Sequence, residues 1–239
     1  MLLQTKRNKE AERSFRKELF DLRFGMGGSL KYKTADKGCY IDTWIRPQLS
    51  EIDAVLKEVP LKDAVALELG SESGHVAGYI KTKYAPRLSI ASDIADSIIK
   101  AMPQVCDELC LKRPDVIVLD NYALPLKEKS VDVIIMYAVL HHFPDPCLIM
   151  RQVRRVLKPG GTVIILGEPF LPRYLLMLQV FHDRFDKARG ISENIFSFGQ
   201  WMSFMREFDI MRKWYFPPRV LKGFVPRDSW GCRWLSGGG

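Results

Sequence analysis

The chain has 239 residues, of which 47% are hydrophobic and 27% charged, which is enough to bury a sizeable core as one domain with appendages. No stretch approaches the roughly 18 uncharged apolar residues of a membrane span, and Met1–Lys6 lacks the apolar core of a secretory signal, so a soluble, cytoplasmic protein is expected. The five cysteines form no CxxC pair, which argues against a disulfide framework and a zinc site; no metal is predicted.

The net charge of +8 is concentrated near the two ends of the sequence, in residues 6–23 and 206–233. In the first segment acids alternate with bases, and Phe15, Leu19 and Leu22 follow a helical period. This pattern predicts an amphipathic helix with a solvated basic face, within an N-terminal helical extension or lid over residues 1–60. A surface that meets RNA or anionic lipid is the alternative.

From residue 64 onward, short β-branched runs alternate with helical patterns. Strands are predicted at 64–69, 87–93, 115–119, 131–137 and 162–166, and helices at 74–84, 94–111 and 146–157. The sequence KPGG at 158–161 is expected to stop the last of these helices. Near-continuous apolar strands between helices indicate an open, doubly wound α/β domain over roughly residues 60–170.

Acidic residues follow the predicted strands, at the edge where such sheets bind ligands. Asp93 lies 25 positions after Glu68, where an acid can accept hydrogen bonds from both hydroxyls of a ribose. The alternative for any one acid is that it caps the following helix. Neither G-x-G-x-x-G nor G-x-x-x-x-G-K is present, and Glu72 in the turn GSESG would repel phosphates. A cofactor with a ribose and a base but no phosphate fits, as S-adenosylmethionine does.

Five motifs in order resemble the class I S-adenosylmethionine-dependent methyltransferases, particularly the small-molecule group with LHHFPDP and LKPGG motifs. They are ELGSESG at 68–74, Asp93, DNYALPL at 120–126, VDVIIMYAVLHHFPDP at 131–146 and RRVLKPGGTVIILGEP at 154–169. The resemblance implies a seven-stranded Rossmann-like sheet whose last strand is antiparallel. It also implies a cofactor-binding domain over residues 61–239 with an insert at about 170–196.

The final elements of that fold are expected within residues 197–239, with a helix at 197–206 and a strand at 208–216. The chain ends in LSGGG at 235–239, where the family fold would finish a strand, so an incomplete final hairpin and a truncated chain are the two alternatives.

The resemblance also assigns residues to the cofactor. Glu68, Gly70 and Gly74 would surround its methionine end, Asp93 would hold the ribose, and Asp120 with the Asn121 amide would read the adenine. Tyr137 would pass beneath the sulfonium. The full predicted set is Glu68, Gly70, Ser71, Gly74, Asp93, Ile94, Asp120, Asn121 and Tyr137.

Glu72 departs from the family pattern, because the family has a glycine there, close to the cofactor's carboxylate. An outward side chain would leave cofactor binding intact. An inward one would repel that carboxylate and attract the ammonium, weakening or abolishing the site. The sequence predicts the outward arrangement and does not fix the rotamer.

Methyl transfer is an in-line displacement in which positioning supplies much of the rate, and some acceptors need a base. His141 and His142 are candidates for that base, although a structural role in the turn is the alternative, and no catalytic residue is assigned. The predicted function is methyl transfer to a small-molecule, lipid or glycan-intermediate acceptor. An RNA methyltransferase, or a cofactor-binding relative without turnover, remains an alternative.

Overall fold

The computed structural model describes residues 9–17, 40–169, 194–219 and 227–235, and side chains as far as residue 210. These residues form two compact units, a first unit over residues 9–120 and a second unit from residue 121 onward. Most of the predicted insert, residues 170–193, lies outside the described residues. No helix among the described residues combines the length and the apolar character needed to cross a membrane.

The first unit begins with helix α1, residues 9–17, which lies within the segment predicted as helical. A π-helical turn at Ile41–Ile45 leads into helix α2, Arg46–Leu56. Residues 9–17 and 40–56 are therefore helical, whereas residues 57–60 are not. The separation of the N-terminal segment from the rest at residue 60 and its action as a lid stay predictions.

Three parallel strands form the sheet of the first unit, in the order β3-β2-β1. They are β1 at Val65–Leu69, β2 at Leu88–Asp93 and β3 at Asp115–Val118, with helices α3 at His75–Lys83 and α4 at Ser97–Glu108 between them. Every residue of β1 is buried, which explains why its sequence, VALEL, lacks an alternating polar pattern. The predicted strand–helix alternation is confirmed here.

The second unit contains β4 at Val131–Tyr137, helix α5 at Pro146–Val156, β5 at Leu157–Glu168, helix α6 at Phe198–Phe204, β6 at Asp209–Arg219 and β7 at Arg227–Leu235. Strands β4 and β5 pair in parallel, whereas β7 is antiparallel to both β5 and β6. The predicted antiparallel last strand, the helix near 197–206 and the strand near 208–216 are therefore confirmed. Strands β6 and β7 pair from Asp209 with Leu235 to Arg219 with Arg227, so of the two alternatives the incomplete hairpin is not the one that the structure shows.

The start of β5 also differs from the prediction. The strand begins at Leu157 rather than at Thr162, so the LKPGG motif belongs to the strand and does not separate it from α5. Val131 pairs with Leu157 and Val133 pairs with Thr162, which leaves four residues of β5 bulging opposite one residue of β4. The left-handed Gly160, with φ +73°, permits this bulge.

Gly74 has a left-handed conformation just before helix α3, and neighbouring side chains leave no room for a Cβ atom. A Cβ there would lie 2.9 Å from Met102 Cγ, whereas a Cβ on the equally left-handed Gly160 would meet no atom within 4 Å. Gly160→Ala is therefore expected to lower the free energy of unfolding by about 1 kcal/mol through backbone strain alone. Gly74→Ala is expected to lower it by about 2–4 kcal/mol, because the clash is added. Urea unfolding of the two variants checks this difference, and equal losses would contradict it.

Candidate functional site

The loop after β1 has the backbone of a glycine-rich turn even though one glycine is replaced. Gly70, Glu72 and Gly74 all have left-handed φ angles, of +69°, +53° and +68°. A side chain in this region carries strain of order 1 kcal/mol, which persists only where surrounding contacts hold the residue. Glu72 therefore adopts a left-handed conformation that glycine would adopt without strain.

Contacts between this loop and the end of β2 hold that shape. The Ser71 N–H donates to the Ser92 carbonyl at 2.8 Å, and the Ser92 N–H donates to Ser71 Oγ at 2.9 Å. The Glu72 N–H donates to Asp93 Oδ2 at 2.9 Å. The predicted cofactor residues Gly70, Ser71 and Asp93 are thus brought together at one edge of the sheet.

Asp93 is buried and uses both carboxylate oxygens within the unit. Oδ2 accepts from Glu72 and Oδ1 accepts from the Ala95 N–H at 3.0 Å. Burial raises its pKa, while the nearby Arg16 guanidinium and these two N–H donors lower it. Each oxygen retains a second lone pair, so the carboxylate can still accept from hydroxyl groups.

Glu68 is buried, as Asp93 is, and its side chain faces the start of helix α3. Its Oε2 accepts from the Ala77 N–H at 2.9 Å, and the side chain is 3% exposed. Burial is the main cause that raises the pKa of Glu68 to about 8, with smaller contributions from the charges of Asp93 and Glu72. Glu68 therefore holds the loop against the helix, and at neutral pH its carboxyl group is largely protonated.

This proton makes stability depend on pH. Between the ordinary pKa of 4.5 and the folded pKa of about 8, the folded protein holds a proton that the unfolded chain has lost. The free energy of unfolding should therefore decrease as pH rises from about 4.5 to about 8. Glu68→Gln is expected to flatten this decrease, leaving the part due to Asp93. Urea unfolding at a series of pH values checks the slope, and the exposed Glu128→Gln is the control that should leave it unchanged.

Helix α1 lies against the same edge of the first unit. Lys9 forms an ion pair with Asp120, and Arg13 Nε donates to the Ile94 carbonyl at 3.3 Å. Arg16 Nη1 lies 3.7 Å from Glu72 Oε1. The outward arrangement predicted a Glu72 side chain extended into solvent. Instead, the side chain faces Arg16 and is 22% exposed.

In the second unit, Glu168 at the end of β5 accepts four hydrogen bonds from the turn after β4. Its donors are the backbone N–H groups of Val139, Leu140 and His141, at 2.8, 2.8 and 3.2 Å, and His141 Nδ1 at 2.8 Å. Asn194 Nδ2 donates to the His141 carbonyl at 2.9 Å. His141 is thus fixed in the turn, which favours the structural alternative for this residue.

Two further predicted residues belong to the second unit. Tyr137 ends β4, and its ring occupies the space beside the left-handed Gly167, where a Cβ would lie 2.7 Å from Tyr137 Cε1. Asn121 is 5% exposed, and its Oδ1 has no hydrogen-bond partner among the described residues. A buried amide oxygen without a donor is costly, so this atom is suited to accept from a bound ligand.

Sequence reasoning missed Lys9, Arg13, Arg16 and Glu168. The three cations are spaced at i, i+4 and i+7, which indicates one helical face, yet nothing in the sequence shows what that face contacts. Glu168 is an acid at the end of a predicted strand, as Glu68 and Asp93 are, and this signal could have found it.

The structure of the chain is similar to solved methyltransferase structures. A magnesium protoporphyrin IX methyltransferase from Synechocystis PCC 6803, solved with bound S-adenosylhomocysteine, superposes with a TM-score of 0.59 at 16% identity, covering 80% of this chain and 83% of that one. The fold is that of the class I S-adenosylmethionine-dependent methyltransferases, as the sequence predicted. Residues 67–165 match the family model described as a methyltransferase domain.

Two curated relatives each align with about half of the chain. A demethylmenaquinone methyltransferase from Thermotoga maritima is 34% identical over 126 residues, covering 53% of this chain and 51% of that protein. A malonyl-[acyl-carrier protein] O-methyltransferase from a Marinomonas species is 25% identical over 124 residues, covering 52% of this chain and 45% of that protein. The chain therefore spans about half the length of these two relatives.

Proposed function

We propose that the protein is an enzyme that binds S-adenosylmethionine and transfers its methyl group to a small-molecule acceptor. The observation that carries this proposal is the loop at residues 70–74, whose left-handed residues bring a backbone N–H within 2.9 Å of the Asp93 carboxylate. The match of residues 67–165 to a methyltransferase domain supports the same conclusion.

The chemistry of this edge suits an adenosine better than a nucleotide. Asp93 offers carboxylate lone pairs that can accept from vicinal ribose hydroxyls, and Asp120 lies after the last strand of the first unit. The Glu72 N–H already donates to the Asp93 carboxylate, so this backbone donor is not available to a phosphate group without displacing that carboxylate. In the second unit, taken by itself, Oδ1 of Asn121 has no hydrogen-bond partner among the described residues and is an acceptor that fits an amino group.

The sulfonium of the cofactor supplies an activated methyl group, so the protein's main task is to hold an acceptor in line with it. The cofactor roles of Glu68, Gly70, Ser71, Gly74, Ile94, Asp120, Asn121 and Tyr137 are part of the proposal. His141 is assigned to positioning, since its Nδ1 contacts Glu168. A base role for His142 stays a prediction.

The relatives narrow the acceptor only to a class. Their names specify a demethylmenaquinone, a malonyl group on an acyl-carrier protein and a magnesium protoporphyrin, which are chemically unlike one another. We therefore propose a small-molecule or carrier-linked acceptor and assign no individual compound. Residues 170–193 of the predicted insert lie outside the described residues, so the insert adds nothing to the choice of acceptor.

Two measurements test the proposal. Titration calorimetry with S-adenosylhomocysteine should show saturable binding, and absence of binding at millimolar ligand would overturn it. Transfer of labelled methyl from S-adenosylmethionine should then be assayed with a demethylated quinone, a malonyl-carrier thioester and RNA. Label in a small molecule supports the proposed acceptor class, label in RNA replaces it with the RNA alternative, and binding without transfer to any of them supports a relative without turnover.

A further inference from the structure

Helix α1 presents three cations on one face to the ligand-binding edge of the first unit. Lys9, Arg13 and Arg16 follow the i, i+4, i+7 spacing that aligns side chains along a helix. They reach Asp120, the Ile94 carbonyl and Glu72, which follow β3, follow β2 and lie in the loop after β1. The helix therefore spans all three strand ends of this unit.

Arg16 is the most enclosed of these three cations. Its side chain is 19% exposed, and its Nε donates to Glu12 Oε1 at 2.8 Å while Nη1 faces Glu72. Burial opposes the charge, but the carboxylates of Glu12, Glu72 and Asp93 outweigh it and raise the pKa of Arg16. The guanidinium is thus a permanent positive charge among acids.

We infer that helix α1 is part of the cofactor site and that Arg16 is a positioning residue: its charge balances Glu72 and keeps the Asp93 carboxylate an acceptor for ribose hydroxyls. The inference rests on the proposed function, because it concerns the same ligand. It explains how a carboxylate at position 72 is compatible with a working loop.

The physical reason is the crowding of acids around Asp93. The charged and titratable groups that face it are Glu68 from β1, Glu72 from the loop and Arg16 from helix α1. Burial and the Glu72 charge raise the pKa of Asp93, and Arg16 lowers it. Without Arg16, Asp93 would take up a proton at higher pH, and a protonated carboxyl group accepts fewer hydrogen bonds.

A double-mutant cycle tests the inference by calorimetry with S-adenosylhomocysteine between pH 5.5 and 8. Arg16→Gln is expected to weaken binding about tenfold at neutral pH. Affinity should also begin to fall, as the pH is lowered, at a pH about one unit higher than in the wild type. Arg16→Lys should keep most of the affinity. Adding Glu72→Gln to Arg16→Gln should restore binding, because a negative charge that raises the pKa of Asp93 is then removed.

Arg46→Gln is the matched control, because Arg46 forms an exposed ion pair with Asp42 at 2.9 Å in the same unit. This substitution should leave binding unchanged. If Arg16→Gln weakens binding equally at every pH, or if Glu72→Gln gives no restoration, Arg16 serves only to dock the helix and the inference is overturned.

A second measurement does not need the cofactor. The Asp93 carboxyl titration in the ligand-free protein, followed by carbon NMR, should move to higher pH in Arg16→Gln and stay in place in Arg46→Gln. An unmoved titration would overturn the inference even if the wild type binds. Failure of the proposed function would instead appear as a wild type that binds no S-adenosylhomocysteine while the titration still shifts.

Discussion

Asp93→Asn is expected to weaken the binding of S-adenosylhomocysteine about a hundredfold or more, because one charge-assisted hydrogen bond is replaced by a contact between two donors and the other loses its charge. The carboxylate accepts from Glu72 on one oxygen and from Ala95 on the other. An asparagine has one oxygen and one NH2 group, so one of these backbone donors would face another donor. The loop would shift as the ribose acceptor is lost, and both changes reduce affinity.

Asp96→Asn is the matched control for this prediction. Asp96 is exposed, lies three residues away and caps helix α4 without a side-chain hydrogen bond, so its change should leave affinity unchanged. Calorimetry of both variants, with urea unfolding to verify folding, makes the comparison. An Asp93→Asn protein that binds within threefold of the wild type would exclude Asp93 as the ribose acceptor.

Glu168→Gln is expected to lower the free energy of unfolding by about 3–5 kcal/mol, the largest stability change predicted for a single conservative substitution in this chain. The carboxylate is 3% exposed and accepts two donors on each oxygen. The NH2 group of glutamine would face two donors in place of accepting from them. Either the pair at Val139 and Leu140 or the pair on His141 would be left buried without an acceptor.

Glu207→Gln provides the comparison in the same unit. Glu207 pairs with Arg154 at 2.9 Å on the surface, where such a pair contributes at most about 1 kcal/mol. Thermal or urea unfolding of the two variants measures the difference. A Glu168→Gln protein within about 1 kcal/mol of the wild type would show that the turn finds other acceptors.

The order of strands and helices could be predicted from the sequence because each element has a strong local signal. The apolar run VALEL is buried along its whole length, and Pro146 after Asp145 marks the first turn of α5, where the Asp145 side chain caps the Cys147 N–H at 3.1 Å. Ser197 and Gln200 form a capping box that begins α6. These signals lie within a few residues of the element they define.

The start of β5 could not be predicted in the same way. Pro159, Gly160 and Gly161 normally indicate a turn, and a bulge uses the same residue types. Only pairing with β4 distinguishes the two, and that pairing joins residues about 25 positions apart, such as Val131 and Leu157. Tertiary hydrogen bonding therefore decided an assignment that local composition left ambiguous.

The site was predictable where its residues follow strands and unpredictable where they come from distant segments. Asp93 could be proposed because it ends β2, and it accepts a hydrogen bond from the Glu72 N–H in the glycine loop, while its cofactor role stays a prediction. Arg16 lies 56 residues before Glu72, and no spacing rule connects them. The direction of the Glu72 side chain depended on this distant cation, so the sequence could not fix it.

The alternation of left-handed residues at 70, 72 and 74 has a consequence for ligand selectivity. Successive N–H groups in such backbone form a concave nest that attracts an anion. Here one of these N–H groups already has an anionic acceptor within the protein, because the Glu72 N–H donates to Asp93. An incoming pyrophosphate would have to displace the Asp93 carboxylate from the Glu72 N–H, so we expect this loop to bind phosphate groups poorly.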